Sequence, residues 1–294
     1  MAIETVAVTG GNGKIGEAIL RELQSEGYTA VNLARGKRRE EVSDGYRTTD
    51  LTNAGEVYGS LANSEADAVI HMGTIPSPVR HPGFVTFESN VMSTYHILEA
   101  ATELGLEAAC IASSINAMGC AFQDEPSDIA YLPVDEAHPL TPRDPYAIGK
   151  HALEVVCDGF GRMNRPPTSI ASLRYPWVGS SEEINRRFRG ADRTLEAVAP
   201  DGRGRDHLFS YLHLEDAATI ARLAIEGTFD GHEVFWAVAG DTTLEDPTAE
   251  IAASIYPDLE CHRSFEGRES LISIEKARER LGWEPTRSWT EVRD

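Results

Sequence analysis

Cysteine, lysine and long apolar runs are scarce in this 294-residue sequence. Its four cysteines form no CxxC pair and adjoin no histidine cluster, so their spacing indicates neither a zinc site nor a disulfide framework. No apolar run approaches the length of a membrane span, and the first residues lack the basic start and apolar core of a secretory signal. We therefore expect a cytoplasmic protein that holds no metal and binds no membrane.

Positive charge is also in short supply. The chain has 27 basic and 47 acidic residues, a formal net charge of −20, and only four of the basic residues are lysines. Such a negative field repels nucleic acid and anionic membrane surfaces, which argues against both as partners. Acidic residues dispersed along a lysine-poor chain are similar to the composition of proteins from salt-loving archaea, in which salt screens the self-repulsion. A halophilic archaeal origin is our hypothesis.

Short apolar strands alternate with helical patterns over the first part of the chain. Strands are predicted at 6–8, 29–33, 67–71, 108–112 and 169–174, with helices after the first strand and over about 90–104 and 146–163. This alternation indicates an α/β fold with a doubly wound parallel sheet of the Rossmann type. We expect residues 1–178, with 206–238, to form that domain, and 179–205 with 239–294 to form a smaller C-terminal substrate lobe.

A glycine-rich turn, TGGNGKIG, follows the first predicted strand. Gly10, Gly13 and Gly16 lie between that strand and a helical pattern. Glycines at such a corner allow positive φ and close approach of a ligand, and the first amide groups of the helix favour an anion. The spacing by itself indicates either a phosphate-binding turn or an ordinary connection between a strand and a helix.

Tyr146 and Lys150 lie four residues apart in the segment YAIGK, on one face of a predicted helix. A tyrosine pKa of about 10 is too high for a base near neutral pH, but a nearby ammonium favours the phenolate and lowers that pKa. Ser113 and Ser114 follow a predicted strand, where a hydroxyl can orient a substrate oxygen beside the phenol. We predict a catalytic site; the alternative is an exposed helix pair and a serine turn without function.

Further short motifs accompany these segments in order, from about residue 5 to residue 290: Asp50-Leu51, HMGT, Asn90-Val91, SSINAMG, LRYPWVG and LGWEP. Together they resemble the extended short-chain dehydrogenase/reductase family, also called the NAD-dependent epimerase/dehydratase family. The resemblance implies a dinucleotide site with Gly10, Asn12, Gly13, Lys14, Ile15 and Gly16 at the pyrophosphate, Asp50 and Leu51 at the adenine, Met72, Gly73 and Thr74 at the middle of the cofactor, Asn90 near it, and Pro176 and Val178 behind the nicotinamide.

The same resemblance assigns catalytic roles. Ser114 would bind the reacting hydroxyl, Tyr146 would act as the acid and base, and Lys150 would hold the nicotinamide ribose and tune Tyr146. The chain departs from the family where the serine segment ends in Ala117-Met118-Gly119, because the usual aromatic residue is missing.

The end of the second predicted strand bears on the choice of cofactor. NAD enzymes place an acidic residue there for the ribose hydroxyls, whereas a 2′-phosphate needs positive charge. This sequence has Arg35, Lys37 and Arg38 there and no acid until Glu40. We therefore predict NADP as the preferred cofactor, with NAD possible and Arg35 as the main phosphate ligand.

Two reactions are compatible with these motifs. The first is a sugar 1-dehydrogenase, in which the anomeric hydroxyl of a pentose or hexose is oxidised to the lactone. The second is a nucleotide-sugar 4-epimerase or dehydratase that retains NAD; a regulatory NADP-binding protein is a third reading, which the catalytic residues disfavour. The sequence favours the first because its second strand ends in cations. The predicted sugar contacts are Ser77, Ser114, Asn116, Tyr146 and Arg174, and Arg174 has the alternative role of a structural ion-pair partner.

Two predictions concern the remaining surface. Relatives pair the two helices near 90–104 and 146–163 between subunits, so a homodimer or homotetramer is expected. Four histidines are interpreted as surface or loop residues: His81, His138, His207 and His213.

Overall fold

The computed structural model describes residues 3–36, 42–120, 122, 127–188, 192–198 and 204–291. The strands are β1 (Thr5–Thr9), β2 (Thr29–Ala34), β3 (Gly45–Thr48), β4 (Ala68–His71), β5 (Ala108–Ala112), β6 (Tyr131–Leu132), β7 (Ser169–Arg174), β8 (Val178–Gly179), β9 (Leu212–His213), β10 (Gly231–Trp236) and β11 (Glu260–Cys261). The α-helices are α1 (Lys14–Ser25), α2 (Ala54–Ala62), α3 (Gly83–Leu104), α4 (Pro145–Gly161), α5 (Ser181–Phe188), α6 (Leu195–Val198), α7 (Leu214–Glu226), α8 (Thr248–Ile255) and α9 (Glu275–Leu281).

Within the described residues, seven parallel strands form one sheet in the order β10-β7-β5-β4-β1-β2-β3. The chain runs outward from β1 in both directions, through β2 and β3 on one side and through β4 on the other. This is the doubly wound arrangement, and its topological switch lies between β1 and β4. The predicted fold class is therefore confirmed.

The central strands β1, β4 and β5 are almost entirely buried and mostly apolar because helices cover both faces of the sheet. In β1, Val6 and Val8 pack with Ile19 and Leu23 of α1 on one face. Ala7 points the other way and belongs to a second core cluster with Leu98 of α3 and Leu153 of α4. Alternation along a strand thus divides the core into two layers.

A short strand pair joins the segment after β7 to the segment before α7. β8 pairs in parallel with β9. Between these strands, Phe188 and Tyr211 pack edge to face with ring centroids 6.0 Å apart, and Phe188 contacts Trp289 with ring centroids 5.6 Å apart. The Trp289 indole N–H donates to the carbonyl of Thr242 at 2.8 Å, which holds the last described residues against the segment after β10.

Some boundaries differ from the sequence-based expectation. Helix α3 begins at Gly83, well before residue 90, and β3 and α2 were not predicted. Among the described residues, no helix combines the length and apolarity needed to cross a membrane.

Candidate active site

The glycine turn is a close crossing of two chain segments. Gly10 has a φ of +69°, and a Cβ there would lie 2.8 Å from the Cα of Gly73, just after β4. A Cβ on Gly16 would lie 2.4 Å from the carbonyl oxygen of Gly10. Helix α1 begins at Lys14, so its first amide groups have no acceptor within the helix. The result is a cradle without side chains at a positive helix end, which fits the pyrophosphate of a dinucleotide.

A buried histidine fixes this turn from behind. His71 Nδ1 lies 2.8 Å from Thr9 Oγ1, and its Nε2 lies 3.3 Å from Ser93 Oγ. Ser93 Oγ donates its own proton to the Asn90 carbonyl at 3.2 Å, so it accepts from His71 and the imidazole proton is assigned to Nε2. Nδ1 then accepts from Thr9 Oγ1, which itself accepts the Gly73 amide proton at 3.0 Å. Burial, together with the Lys150 charge, lowers the pKa of His71 to about 3. The neutral ring therefore joins β1, β4 and α3 beneath the turn.

One cavity of about 490 Å³ connects the turn with the predicted catalytic residues. It lies at the carboxyl ends of the strands, where doubly wound folds bind their ligands. Its lining residues are Gly10, Gly13, Lys14, Ile15, Gly16, Met72, Thr74, Pro76, Ala112, Ser113, Ser114, Ile115, Asn116, Phe122, Tyr146, Lys150, Tyr175, Pro176, Trp177, Val178, Arg187 and His207. A nicotinamide dinucleotide fits this set because the glycine cradle and the Tyr146 side chain lie in the same cavity.

Helix α4 begins one residue before Tyr146, the predicted catalytic tyrosine. The Asp144 carboxylate caps the helix by accepting the amide protons of Tyr146 at 2.9 Å and Ala147 at 3.0 Å, and Pro145 occupies the first helical position. Tyr146 and Lys150 are then one turn apart, with the Lys150 Nζ 5.8 Å from the tyrosine ring centroid. The cap therefore determines where both side chains enter the cavity.

Burial controls the protonation of both side chains. It raises the pKa of Tyr146 to about 12, while a hydrogen bond with Ser114 opposes the rise. It lowers the pKa of Lys150 to about 7, against the charge of Glu154. Lys150 Nζ donates to the Ala112 carbonyl at 2.5 Å and to Thr74 Oγ1 at 3.4 Å. The expectation that Lys150 lowers the Tyr146 pKa is wrong for this state of the site, because burial dominates and Ser114 is the group that lowers it.

Two residues predicted to contact a ligand, Arg174 and Asn90, do not line the cavity. Arg174 is only 2% exposed and does not line the cavity; it forms a bidentate ion pair with Glu154, with N–O distances of 3.0 and 2.8 Å. Its assignment to the sugar is wrong, and the alternative of a structural ion pair is confirmed. Asn90 is fully buried, and its side-chain amide forms two hydrogen bonds with the backbone of Ile75. It accepts the Ile75 N–H at 2.7 Å and donates to the Ile75 carbonyl at 3.0 Å. It therefore shapes the loop after β4 and does not line the cavity.

The other predicted substrate residues differ in placement. Asn116 lines the cavity, and its backbone and side-chain N–H groups donate to Ser114 Oγ at 3.2 and 3.3 Å. Its buried Oδ1 has no hydrogen-bond partner among the described residues, which leaves an acceptor for a ligand hydroxyl. Ser77 lies in the loop after β4, where its Oγ accepts the Val79 N–H at 3.2 Å, and it is not among the lining residues.

The adenine end of the predicted cofactor site is more open. Arg35 is exposed at the end of β2, and its carbonyl accepts from Asn12 Nδ2 at 3.3 Å. Hydrogen bonds from Thr52, and more weakly the Arg35 charge, lower the pKa of Asp50. Leu51 packs closely against Gly73, since a Cβ on that glycine would lie 2.2 Å from Leu51 Cδ1. The other two predicted phosphate ligands, Lys37 and Arg38, lie outside the described residues.

Lys14 connects the glycine turn to the segment after β7. Its Nζ donates to the Val178 carbonyl at 2.6 Å and pairs with Glu183 at 2.8 Å. It also lies 5.7 Å from the Trp177 ring centroid. The residue predicted to adjoin the pyrophosphate therefore also anchors helix α5.

Sequence reasoning missed several residues that line the cavity. Phe122 meets the Tyr146 ring edge to face, with ring centroids 6.0 Å apart, and the Arg187 guanidinium lies 4.6 Å from the Trp177 ring centroid. His207, interpreted as a surface or loop residue, lines the cavity, and burial lowers its pKa, with Arg187 adding to the effect. No local sequence pattern marks these residues as parts of one site, because tertiary packing brings them together.

The remaining histidine expectations divide in the same way. His81 is exposed, and His138 is buried but lies in a loop, so both agree with the interpretation as surface or loop residues. His213 is buried within β9, so that interpretation is wrong for it.

Comparison with known proteins identifies a matching family, related sequences and structures with the same fold. The model of the NAD dependent epimerase/dehydratase family matches residues 6–235. The UDP-glucose 4-epimerase of Rhizobium leguminosarum bv. trifolii is 30% identical over 99% of this chain and 96% of its own length. A protein of Methanocaldococcus jannaschii is also 30% identical, but the match covers 58% of this chain and 54% of that protein. The structure of MoeE5 in complex with UDP-glucose and NAD shares the fold, with a TM-score of 0.69, 22% identity and 98% coverage of each chain.

Proposed function

Because this chain belongs to the NAD-dependent epimerase/dehydratase family, we propose that it oxidises a hydroxyl of a nucleotide sugar and returns the hydride, as a UDP-sugar 4-epimerase. The observation that carries the proposal is the convergence of Ser114, Tyr146 and Lys150 on the cavity of the glycine turn. The names of the relatives favour epimerisation over the sugar 1-dehydrogenation that the sequence motifs favoured.

Arg187 and His207 support a nucleotide sugar as the substrate. Both line the cavity, and the Arg187 charge adds to burial in lowering the His207 pKa, so His207 is a neutral hydrogen-bond donor at neutral pH. A guanidinium in a chain of net charge −20 suits an anionic group, and a sugar nucleotide carries a diphosphate. Trp177 and Phe122 add flat apolar walls to the same cavity.

The chain's own residues then have defined tasks. A bound nicotinamide would accept hydride from the sugar carbon and give it back. Ser114 and Asn116 hold the reacting oxygen, and the Tyr146 oxygen takes its proton and later returns it. Lys150, held by Ala112 and Thr74, would hold the nicotinamide ribose beside the phenol, and the hydrogen bond with Ser114 is the contact that favours the ionised form of Tyr146.

A net dehydrogenase is the second candidate, and one observation favours it. Arg35 is exposed at the end of β2 without an acidic residue beside it in the sequence, which suits the 2′-phosphate of an exchangeable NADP. In this version the anomeric hydroxyl of an aldose is oxidised and the reduced cofactor leaves. NAD is the cofactor we assign to epimerisation, and NADP the one we assign to dehydrogenation.

One set of assays separates the two candidates. Purified protein is offered UDP-glucose or UDP-galactose, and separately free aldoses with NAD or NADP, while absorbance at 340 nm and sugar NMR are recorded. Interconversion of the UDP-sugars without net reduction supports the epimerase, and reduction with a free aldose supports the dehydrogenase. Either activity should disappear in Tyr146→Phe and persist in Tyr58→Phe, a matched control on the exposed face of α2. A chain inactive in every assay would refute both.

A second copy of this chain is the partner we propose. Apolar side chains on α3 and α4 remain exposed, including Phe87, Met92, Tyr95, Ile148 and Val155. Leu98, Leu153 and Phe160 of the same two helices are buried in the chain's own core and face its sheet. Sedimentation equilibrium tests the proposal, and a purely monomeric chain at micromolar concentration would contradict it.

A further inference from the structure

A buried carboxylate lies one helical turn beyond Lys150. Glu154 is 4% exposed, and Arg174, at the end of β7, clamps both of its oxygens. The Arg174 guanidinium in turn lies 5.1 Å from the Trp236 ring centroid, a cation–π contact that adds to the ion pair. This pair fixes α4 to the sheet directly behind the catalytic face of the helix.

The same carboxylate reaches the catalytic serine segment. Ser113 Oγ donates to Glu154 Oε1 at 2.5 Å, while Lys150 Nζ donates to the Ala112 carbonyl at 2.5 Å. Two side chains of one helix, four residues apart, therefore hold two consecutive residues at the end of β5. Ser114 is the next residue along the chain, so its distance from Tyr146 depends on both contacts.

Glu154 also faces two buried cations. Lys150 is 1% exposed and Arg174 is 2% exposed. The other titratable groups around them on β4, β5, α4 and β10 include His71, Cys110, Cys157 and His232. Burial lowers the pKa of both histidines and raises that of both thiols, so at neutral pH these four groups carry little charge. The nearest formal negative charge available to Lys150 is that of Glu154.

We infer that Glu154 is a positioning residue for the reaction proposed above: clamped by Arg174, it holds Ser113 in place and keeps the buried Lys150 side chain cationic. The inference rests on the proposed function only for its catalytic consequence. Its electrostatic part concerns the free protein and can be measured without a substrate.

The scarcity of lysine makes this measurement direct. With four lysines in the chain, selective ¹³C labelling of the lysine ε-carbons gives four NMR signals to follow against pH, and Lys150→Met assigns the relevant one. Burial lowers the Lys150 pKa to about 7 while Glu154 opposes the effect. Removing the carboxylate in Glu154→Gln should lower that pKa by a further ~1 to 2, as expected for loss of an opposite charge at close range.

Three other variants isolate the cause. Ser113→Ala removes the hydrogen bond to Glu154 but not the Glu154 charge, so it should leave the Lys150 pKa unchanged. Asp158→Asn removes a carboxylate one turn further along α4, which contacts His232 at 2.7 Å. This substitution should also leave the Lys150 pKa unchanged. Because Glu154→Gln leaves Arg174 buried without its partner, the double variant Glu154→Gln/Arg174→Met protects against failure to fold. In this double variant the Lys150 pKa should still be lower than in the unchanged chain.

Activity then tests the catalytic consequence. In Glu154→Gln, the fall of kcat at alkaline pH should begin at lower pH, with kcat reduced and the substrate KM little changed. Ser113→Ala should reduce kcat without moving the pH profile. An unchanged Lys150 pKa in both Glu154 variants would overturn the inference. If the Lys150 pKa falls in the Glu154 variants but the unchanged chain turns over none of the sugars, the inference stands and the proposed function is contradicted.

Discussion

Replacing Gly16 with alanine should disable the dinucleotide turn more than it harms the fold. Gly16 is the third residue of α1, and an added Cβ would lie 2.4 Å from Gly10 O and 2.8 Å from the Cα of Gly11. Both contacts are with backbone, so no side chain can rotate away. The turn or the helix must move by about 1 Å to restore ordinary contact distances.

Two opposite effects on stability set the expected magnitude. Alanine stabilises a helix interior by about 1 kcal/mol relative to glycine, whereas overpacking costs about 1–3 kcal/mol. The free energy of unfolding should therefore fall by about 0–2 kcal/mol. Displacing the turn removes at least one charge-assisted hydrogen bond to the pyrophosphate, about 1.5–3 kcal/mol, so the affinity should fall about 10- to 100-fold.

Calorimetric titration with NAD and with NADP measures the affinity, and urea unfolding measures the stability. The matched control is Gly59→Ala in the middle of α2, where an added Cβ meets nothing within 4 Å. The control should gain about 0.5–1 kcal/mol of stability and bind unchanged. A folded Gly16→Ala protein that binds either dinucleotide as tightly as the unchanged chain would refute the assignment of the turn.

Acid and salt should act on the rest of the molecule in predictable directions. Burial lowers the His71 pKa from 6.5 to about 3, so its contribution to stability is complete above pH 6.5 and is lost as pH falls toward 3. In His71→Gln, the slope of unfolding free energy against pH, measured between about pH 4 and 6, should decrease by about 1.4 kcal/mol per pH unit; an unchanged slope would show that the imidazole titrates normally. Molar KCl should raise the melting temperature, because it screens the repulsion within a chain of net charge −20, and a flat or falling value would contradict the halophilic hypothesis.

The features predicted correctly from the sequence depend on local chemistry. A glycine turn between a strand and a helix, and a Tyr-x-x-x-Lys pair behind an Asp-Pro cap, specify their own geometry within a few residues. Helix α2 was missed because its sequence AGEVYGSLA carries two glycines, and the start of α3 because its first turns expose Phe84 and Phe87 and so lack apolar periodicity. The role of Arg174 was open until tertiary packing brought it to Glu154, twenty residues away.

The pairing of β8 with β9 brings the two ends of a long excursion of the chain together. Val178 and Leu212 are register partners, so the chain departs and returns at neighbouring points. Two described residues of this excursion, Arg187 and His207, line the same cavity as Ser114 and Tyr146, which lie elsewhere in the chain. Under the proposed function, substitutions in this excursion should therefore change which sugar is accepted more than they change proton transfer at Tyr146.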